Sequence, residues 1–504
     1  MNNSIPRGVI FGFLSWLLPC ALTFVATPIV VRHLGTADYG IYVLVLGVIS
    51  YTFAFNIGRA IIKYVAEFHA TNQDDRINEV LSATLILNLL VGSIGAGILL
   101  LLTNDLVTGI LQIEPGLQSK AVPSLQLGAL TLALWMIGQI FSSVLQALGR
   151  FDLFSQITFA ISGLQTLGNV ALAWADYSVV VLLWWNLLTI VLSGIAFYFA
   201  ARRLLPGFRL FVFPSREIFL LVCRFSSGVV AYQIIGNLLL IFERAWVTRQ
   251  LGAESLTFYV VPMMLAFYIH HFVASLTLVL FPLTSEVAAQ ADKTRLLTIY
   301  ERTTKYICLL VAFIAVTAMT ASREFLSLWL GAEFAERSTW IFVFHIFTYS
   351  LIAVGIITWQ MADGLGVPKR NVFLSLSWIL TAVPLMIWLE PQFGAIGVAA
   401  ARSISVLSIP VSIFLIEKYA FGRSLKRFWG ESLLKLSAAG AVCAAIEYFA
   451  LMNLARGWSG LILSVFIGAI AFFAVILATR YLTGEERRWF ESFMKRAVAA
   501  RARA

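Results

Sequence analysis

Four stretches of the chain, Gly8–Val31, Val80–Thr103, Ala121–Gly149 and Tyr177–Ala201, carry no charged side chain over 24 residues or more. A helix that crosses the hydrocarbon of a bilayer needs about 20 consecutive, mostly apolar residues. Runs of this length exceed what the core of a soluble domain uses, so the chain is expected to be an all-α integral membrane protein. Composition agrees: 60% of the 504 residues are hydrophobic and 12% charged, against roughly 45–50% and 25% in soluble domains. The first run follows Arg7 and resembles a secretion signal, but signal cores span only about 7–15 residues, so a retained span is predicted.

Fourteen spans are predicted, near 8–31, 39–58, 80–103, 121–145, 153–174, 177–200, 219–242, 256–281, 304–321, 338–361, 371–389, 393–416, 434–454 and 458–481. Cys20, Cys223, Cys308 and Cys443 all fall in apolar segments. No extracellular domain is there for a disulfide to staple, and they read as packing residues. The net charge of +10 has no soluble basic domain to present it, which argues against a nucleic-acid partner; membrane topology accounts for it.

With the N-terminus in the cytoplasm, only Arg32, Lys120, Arg244, Arg249, Arg323, Arg337 and Arg456 of the 36 Lys and Arg residues fall on the far side, and Arg224 and Arg402 fall within spans. The positive-inside rule then sets both termini in the cytoplasm. The outer connections, of which Asn104–Lys120 and Ser322–Arg337 are the longest, leave no room for a folded outer domain. Any activity must reside among the helices.

The chain also repeats itself at an offset of 217 residues. Arg32-His33-Leu34-Gly35 with Tyr42-Val43 aligns with Arg249-Gln250-Leu251-Gly252 with Tyr259-Val260; Gln73-Asp74-Asp75-Arg76 aligns with Gln290-Ala291-Asp292-Lys293, and Leu148-Gly149 with Leu365-Gly366. Two halves of six spans follow. An even number of spans per repeat gives both halves one orientation, related by an axis along the membrane normal. The predicted organisation is an N-terminal six-helix lobe at 1–205, a second at 206–425, two added helices at 426–482 and a basic cytoplasmic tail at 483–504. That tail carries Trp489, Phe490 and Phe493, a composition that suits a helix on anionic lipid as well as a solvated tail.

At this point the chain resembles the polysaccharide and O-antigen flippases of the multidrug/oligosaccharidyl-lipid/polysaccharide exporter superfamily. The resemblance rests on Arg32-His33-Leu34-Gly35-Thr36-Ala37-Asp38-Tyr39-Gly40, on Leu280-Phe281-Pro282-Leu283-Thr284-Ser285, on Gly364-Leu365-Gly366, and on Phe393-Gly394-Ala395-Ile396-Gly397-Val398-Ala399-Ala400. It implies two six-helix lobes around a central cavity, with two extra helices, moving undecaprenyl-pyrophosphate-linked oligosaccharide outward across the bacterial inner membrane. The partners implied are that lipid-linked oligosaccharide, the membrane, and a polymerase and chain-length protein of the same pathway. Asn56-Ile57-Gly58 stands where many relatives carry Asp-x-Gly.

Charges inside a bilayer cost about 2.5–3.5 kcal/mol on insertion scales and mark pathways. The candidates for binding an anionic head group are Arg402, Arg59, Lys63, Arg224, Arg244 and Arg249. Arg402 sits deepest, where its planar fork suits pyrophosphate and where an ion pair with Glu447 is the alternative. Arg59 and Lys63, four residues apart, share a helical face, as an entrance or as a snorkelling interfacial pair. Glu243 and Arg244 replace Ala26 and Thr27 of the first repeat. Glu243, His270 and His271 are the candidates for ion coupling, since His titrates near neutral pH, although an interhelical hydrogen bond is the commoner role for a histidine within a span, and His345 is read that way.

Pro19, Pro28 and Pro262 permit hinges or plain bends. No Cys/His spacing supports a metal site, and no cofactor is implied; a coupling ion, sodium or proton, stays open. Scattered residues such as Trp184, Trp185 and Gln360 are candidates for sugar contacts. A cation-coupled multidrug exporter of the same superfamily is the second reading, opposed by how few intramembrane acids there are, Glu243, Glu447 and Asp363 among them. A membrane sugar polymerase or glycosyltransferase is the third. It lacks a loop large enough for such a domain, and Asp74-Asp75, a weak pointer to metal-assisted transfer, repeats as Ala291-Asp292 and reads as topological. A non-enzymatic flippase is the expectation.

Overall fold

The computed structural model describes residues 20–51, 57–71, 73–205, 207–209, 212–277, 284, 292–365, 367, 369–454 and 457–482. Arg7, Pro19, Asn56, Arg456, most of the Leu280–Ser285 motif, Gly366 and the basic tail lie outside the described residues. Among those described, the chain is helical with no strand. The principal helices are α1 Cys20–Leu34, α2 Thr36–Tyr51, α3 Arg59–Ala70, α4 Asp74–Leu101, α5 Pro115–Ala147, α6 Phe151–Trp174, α7 Val179–Leu204 and α8 Arg216–Thr277. They continue as α9 Lys293–Thr320, α10 Ser322–Leu330, α11 Ala332–Gly364, α12 Lys369–Ser405, α13 Ile409–Phe421, α14 Lys426–Asn453 and α15 Trp458–Ala478.

Ten helices among the described residues are long and apolar enough to cross a membrane, and α1 and most of α2 are apolar but shorter. The predicted spans 219–242 and 256–281, the latter as far as residue 277, fall in α8, and 371–389 and 393–416 in the α12–α13 run. One glycine interrupts each: Gly252 at φ 85°, ψ 167° and Gly394 at φ 57°, ψ −140°. Conformations with positive φ and strongly extended ψ are reached almost only by glycine. Gly35, the partner of Gly252 at the 217-residue offset, has φ 83°, so the repeated Leu-Gly encodes the same helix corner twice.

Two compact units make up the chain, the first formed by Met1–Val261 with Ser375–Ala401 and the second by Pro262–Leu374 with Arg402–Ala504. In the first unit α5 is central, packing on α2, α3, α4 and α7. A core of Ile61, Val65, Leu81, Ile140, Val144, Leu145 and Ala201 fills that bundle. Gly138 on α5 and Gly194 on α7 let the two backbones meet: a Cβ added to Gly138 would lie 3.3 Å from the Gly194 Cα. Small residues serve this purpose where lipid gives no hydrophobic drive for association. Asn88 of α4 donates to the carbonyl of Met136 on α5 at 2.8 Å.

The connection between α7 and α8 is held against α4 by side chains one turn apart. Asn78 donates to the Gly207 carbonyl and accepts from the Arg209 amide, both at 2.9 Å. Ser82 accepts from the Val212 amide at 3.1 Å, and Glu79 from the Ser215 amide at 2.8 Å. An irregular segment thereby satisfies backbone groups that no helix satisfies.

In the second unit α9 packs on α11 and α14, and α14 on α15. Tyr300, Val311, Ile357, Met361 and Ile416 build one core; Cys308, Leu436, Ala439, Cys443 and Phe472 build another. All four cysteines are free.

Candidate functional site

Arg244 lies deeper than its sequence position suggests. The sequence ends a span at residue 242 and counts Arg244 as outside, but α8 continues to the corner at Gly252, which puts Glu243 and Arg244 about two turns inside a helix. Glu243 is 0% and Arg244 5% exposed. Room for the guanidinium stem comes from Gly47 of α2, where an added Cβ would sit 2.6 Å from Arg244 Cδ and 2.7 Å from Nε. One guanidinium nitrogen donates to the Leu240 carbonyl at 3.3 Å. The absence of a side chain at residue 47 is thus matched to a large cation in the second repeat.

Arg249, one turn before Gly252, is exposed. Around that corner Thr257 donates to the Thr36 carbonyl at 2.6 Å, and Gly40 abuts the carbonyl of Ala253 so closely that a Cβ would overlap it. Lys120 and Asp38 pair at 2.7 Å in the same unit.

At the opposite end of the first unit, Arg59 and Lys63 are both exposed on α3. Lys63 Nζ stands 4.8 Å from the Tyr64 ring centroid and 5.1 Å from that of Phe225, a cation–π arrangement. Arg224, next to Phe225 in sequence, is exposed as well.

Arg402 of the second unit is 5% exposed, although it lies in a strongly apolar run. Its level is fixed by the next residue: Ser403 donates to the Phe344 carbonyl at 2.9 Å and lies 2.9 Å from the Thr348 hydroxyl, which ties α12 to α11. Glu447, the ion-pair partner considered for Arg402, is instead enclosed by α14 and α15. Its carboxylate is 3.9 Å from Cys443 Sγ, and a Cβ on Gly468 would lie 2.9 Å from it.

His270 and His271 join an aromatic cluster. The Phe267 ring is edge-on to His271 at 4.4 Å and 5.8 Å from His270; Tyr349 links Phe267 and the fully buried His345 at 5.0 and 6.2 Å. Among the described residues no group of three or more His, Cys, Asp or Glu is placed to hold a metal. Of the proposed sugar contacts, Trp184 is exposed, whereas Trp185 packs over Gly168 and donates to the Gln165 carbonyl at 3.2 Å.

Two polar clusters escape the sequence analysis. Tyr42 accepts from Asn169 and Asn186 at 3.1 Å each, joining α2, α6 and α7 inside the first unit. The signal for it was present, since Tyr42 is a repeated residue and both asparagines interrupt apolar helices. Glu417, 1% exposed, accepts from the Tyr300 hydroxyl at 2.8 Å, the Trp429 indole at 2.6 Å and the Leu425 amide at 2.8 Å. In the sequence Glu417 stands next to Lys418, and nothing in that neighbourhood signals its burial.

A sequence profile described as "Polysaccharide biosynthesis protein" matches residues 29–339, more than half of the chain. The chain belongs to this polysaccharide biosynthesis protein family. Among relatives of the family, a Shigella flexneri protein named "Putative O-antigen transporter" is 22% identical over 416 residues, covering 80% of this chain and 95% of that one. The resemblance carried by Arg32–Gly40 therefore holds.

Solved structures give this family member its fold. The lipid II flippase MurJ in an inward closed conformation superposes with a TM-score of 0.72 at 11% identity, over 94% of this chain and 99% of that one. An inward-facing multidrug resistance MATE family transporter of the MOP superfamily gives 0.69 at 15% identity, over 81% and 98%. A MOP superfamily transporter from Pyrococcus furiosus gives 0.62 at 16% identity, over 83% and 95%. This polysaccharide biosynthesis protein is a multi-pass membrane protein with the superfamily's transporter fold.

Proposed function

We propose that the protein is a flippase carrying an undecaprenyl-pyrophosphate-linked oligosaccharide from the cytoplasmic to the outer leaflet of the bacterial inner membrane by alternating access. The proposal includes fourteen crossings, both termini in the cytoplasm, and two six-helix lobes at 1–205 and 206–425. Membership of a polysaccharide biosynthesis family supports the cargo class. The likeness to the Shigella flexneri protein named "Putative O-antigen transporter" supports transport over synthesis.

The observation that carries the proposal is the burial of Arg402, 5% exposed in an apolar run. A guanidinium does not deprotonate to escape a low dielectric, so holding it there is costly. Its planar donors suit a diphosphate, whose oxygens they bind in pairs. Arg244, equally buried over Gly47, is proposed as a second phosphate-directed cation. The exposed Arg59, Lys63 and Arg224 are proposed to draw the head group in from the cytoplasmic side. The sugars would ride with the head group while the prenyl tail stays in the bilayer. Charge recognition of this kind needs no cofactor and no covalent step.

The test is complementation in cells lacking their own copy of the gene, read as surface polysaccharide. Arg402→Ala is expected to abolish export at unchanged protein level, and Arg402→Lys to retain part of it. Normal export by Arg402→Ala would remove Arg402 from the mechanism. Protection of an efflux-deficient host against cationic dyes would favour a multidrug exporter instead.

A further inference from the structure

A cleft of about 900 Å3 opens in the second unit beside α14. It exists because α14 gives one face to α9 and α15, through Leu436, Ala439 and Cys443, while α11 and α13 line the cleft opposite it. The α14 wall is kept low by Ser437, Gly440, Ala441 and Ala444. The far wall is apolar, with Phe347 and Leu351 on α11 and Ile413 and Phe414 on α13.

One mouth of the cleft differs in chemistry. Glu417, Ser424, Lys426 and Trp429 lie there. The carboxylate of Glu417 is occupied by its three donors. Lys426 remains exposed, its ammonium 6.0 Å from the Phe414 ring centroid, and the exposed Lys418 and Arg423 stand close by in sequence. The result is an apolar slot with a cationic rim.

Water gains too few hydrogen bonds to fill an apolar cavity, and walls left bare forfeit their dispersion contacts. Within a bilayer the available filler is hydrocarbon chain. Basic pockets between helices on the cytoplasmic side hold anionic lipid head groups. We propose that this cleft holds one anionic phospholipid of the inner leaflet, its acyl chains against α14 and its phosphate at Lys426 and Ser424. The leaflet assignment rests on the orientation given under the proposed function. The lipid would be a resident part of the protein that fills the gap between α14 and the α11–α13 wall.

The experiment uses the full chain purified in detergent, with phosphatidylglycerol and phosphatidylcholine added in equal amounts and retained lipid measured by native mass spectrometry. Wild type is expected to keep phosphatidylglycerol and to melt at a higher temperature with it than with phosphatidylcholine. Lys426→Glu should lower retention at least about fivefold. Ala441→Phe, which fills the slot without changing charge, should lower it as well. Arg427→Glu, a change at a residue paired with Glu431 on the same helix and away from the cleft lining, should leave retention as it was. Equal retention of the two lipids, undiminished retention in both cleft variants, or recovery of a polyprenyl lipid in place of the phospholipid would overturn the proposal. Because retention is read on purified protein, its outcome is independent of whether polysaccharide export fails.

Discussion

Thr257 donates its hydroxyl to the carbonyl of Thr36 at 2.6 Å, and the residues one repeat away from them, Gly40 and Ala253, meet beside that bond. The four positions form a reciprocal contact: the site of Thr36 touches the site of Thr257 in both senses. Such self-matching is what a two-fold relation between two copies of one motif produces. Here both copies lie in one chain, and the hydroxyl on one side faces a bare backbone on the other.

Gly40→Ala places a methyl group into the Ala253 carbonyl, and overpacking of this kind costs about 1–3 kcal/mol. The variant is expected to melt several degrees below wild type in detergent. An unchanged melting temperature would mean that the two helices do not approach as described.

Thr257→Val keeps the shape and removes the donor. Interhelical hydrogen bonds in membranes average about 0.6 kcal/mol, so a small loss of stability is expected, and Thr257→Ser should recover it. Equal stability of all three proteins would show that the bond contributes nothing.

Gly47→Ala tests the seat of Arg244. The nearest atoms to the new Cβ are the flexible Cδ, Nε and Cζ of the arginine, so stability should fall by less than about 1.5 kcal/mol, while polysaccharide export falls about tenfold or more as the cation is displaced. Loss of folding with retained export per molecule would contradict this.

Glu417→Ala leaves the Tyr300 hydroxyl, the Trp429 indole and the Leu425 amide without their acceptor. Each stranded buried donor costs about 1–3 kcal/mol, so this substitution should destabilise strongly and change the Trp429 fluorescence. Glu417→Gln, which keeps an acceptor oxygen, is expected to lose less. A wild-type melt for the alanine variant would exclude the three-way clasp.

Gly252→Ala and Gly35→Ala force a Cβ into φ near 85° and 83°. A cost of about 1–3 kcal/mol is expected for each, detectable as lower yield of folded protein by size-exclusion chromatography. If only one of the two matters, the equivalence of the repeat corners is confined to the backbone angle.

The membrane fold was legible because hydrocarbon imposes a one-dimensional rule. Apolar length is visible in a string, and so is the Leu-Gly that closes α1 and interrupts α8. Depth was less legible. Glu243-Arg244 looked like the end of a span, because hydropathy registers the charge and not the glycine at residue 47 that accommodates it. Tyr42, Asn169 and Asn186 come from three helices, and Glu417 takes donors from two further segments. Such convergence depends on which helix faces meet, which a periodic pattern alone does not specify.

The clamp of Asn78, Glu79 and Ser82 on the α7–α8 connection bears on how the protein is made. A chain synthesised from its N-terminus presents those three side chains before residues 207–215 have left the ribosome. The side chains that seat the α7–α8 connection thus stand on α4, earlier in the chain than the segment they seat, and the first turn of α8 takes its register from them.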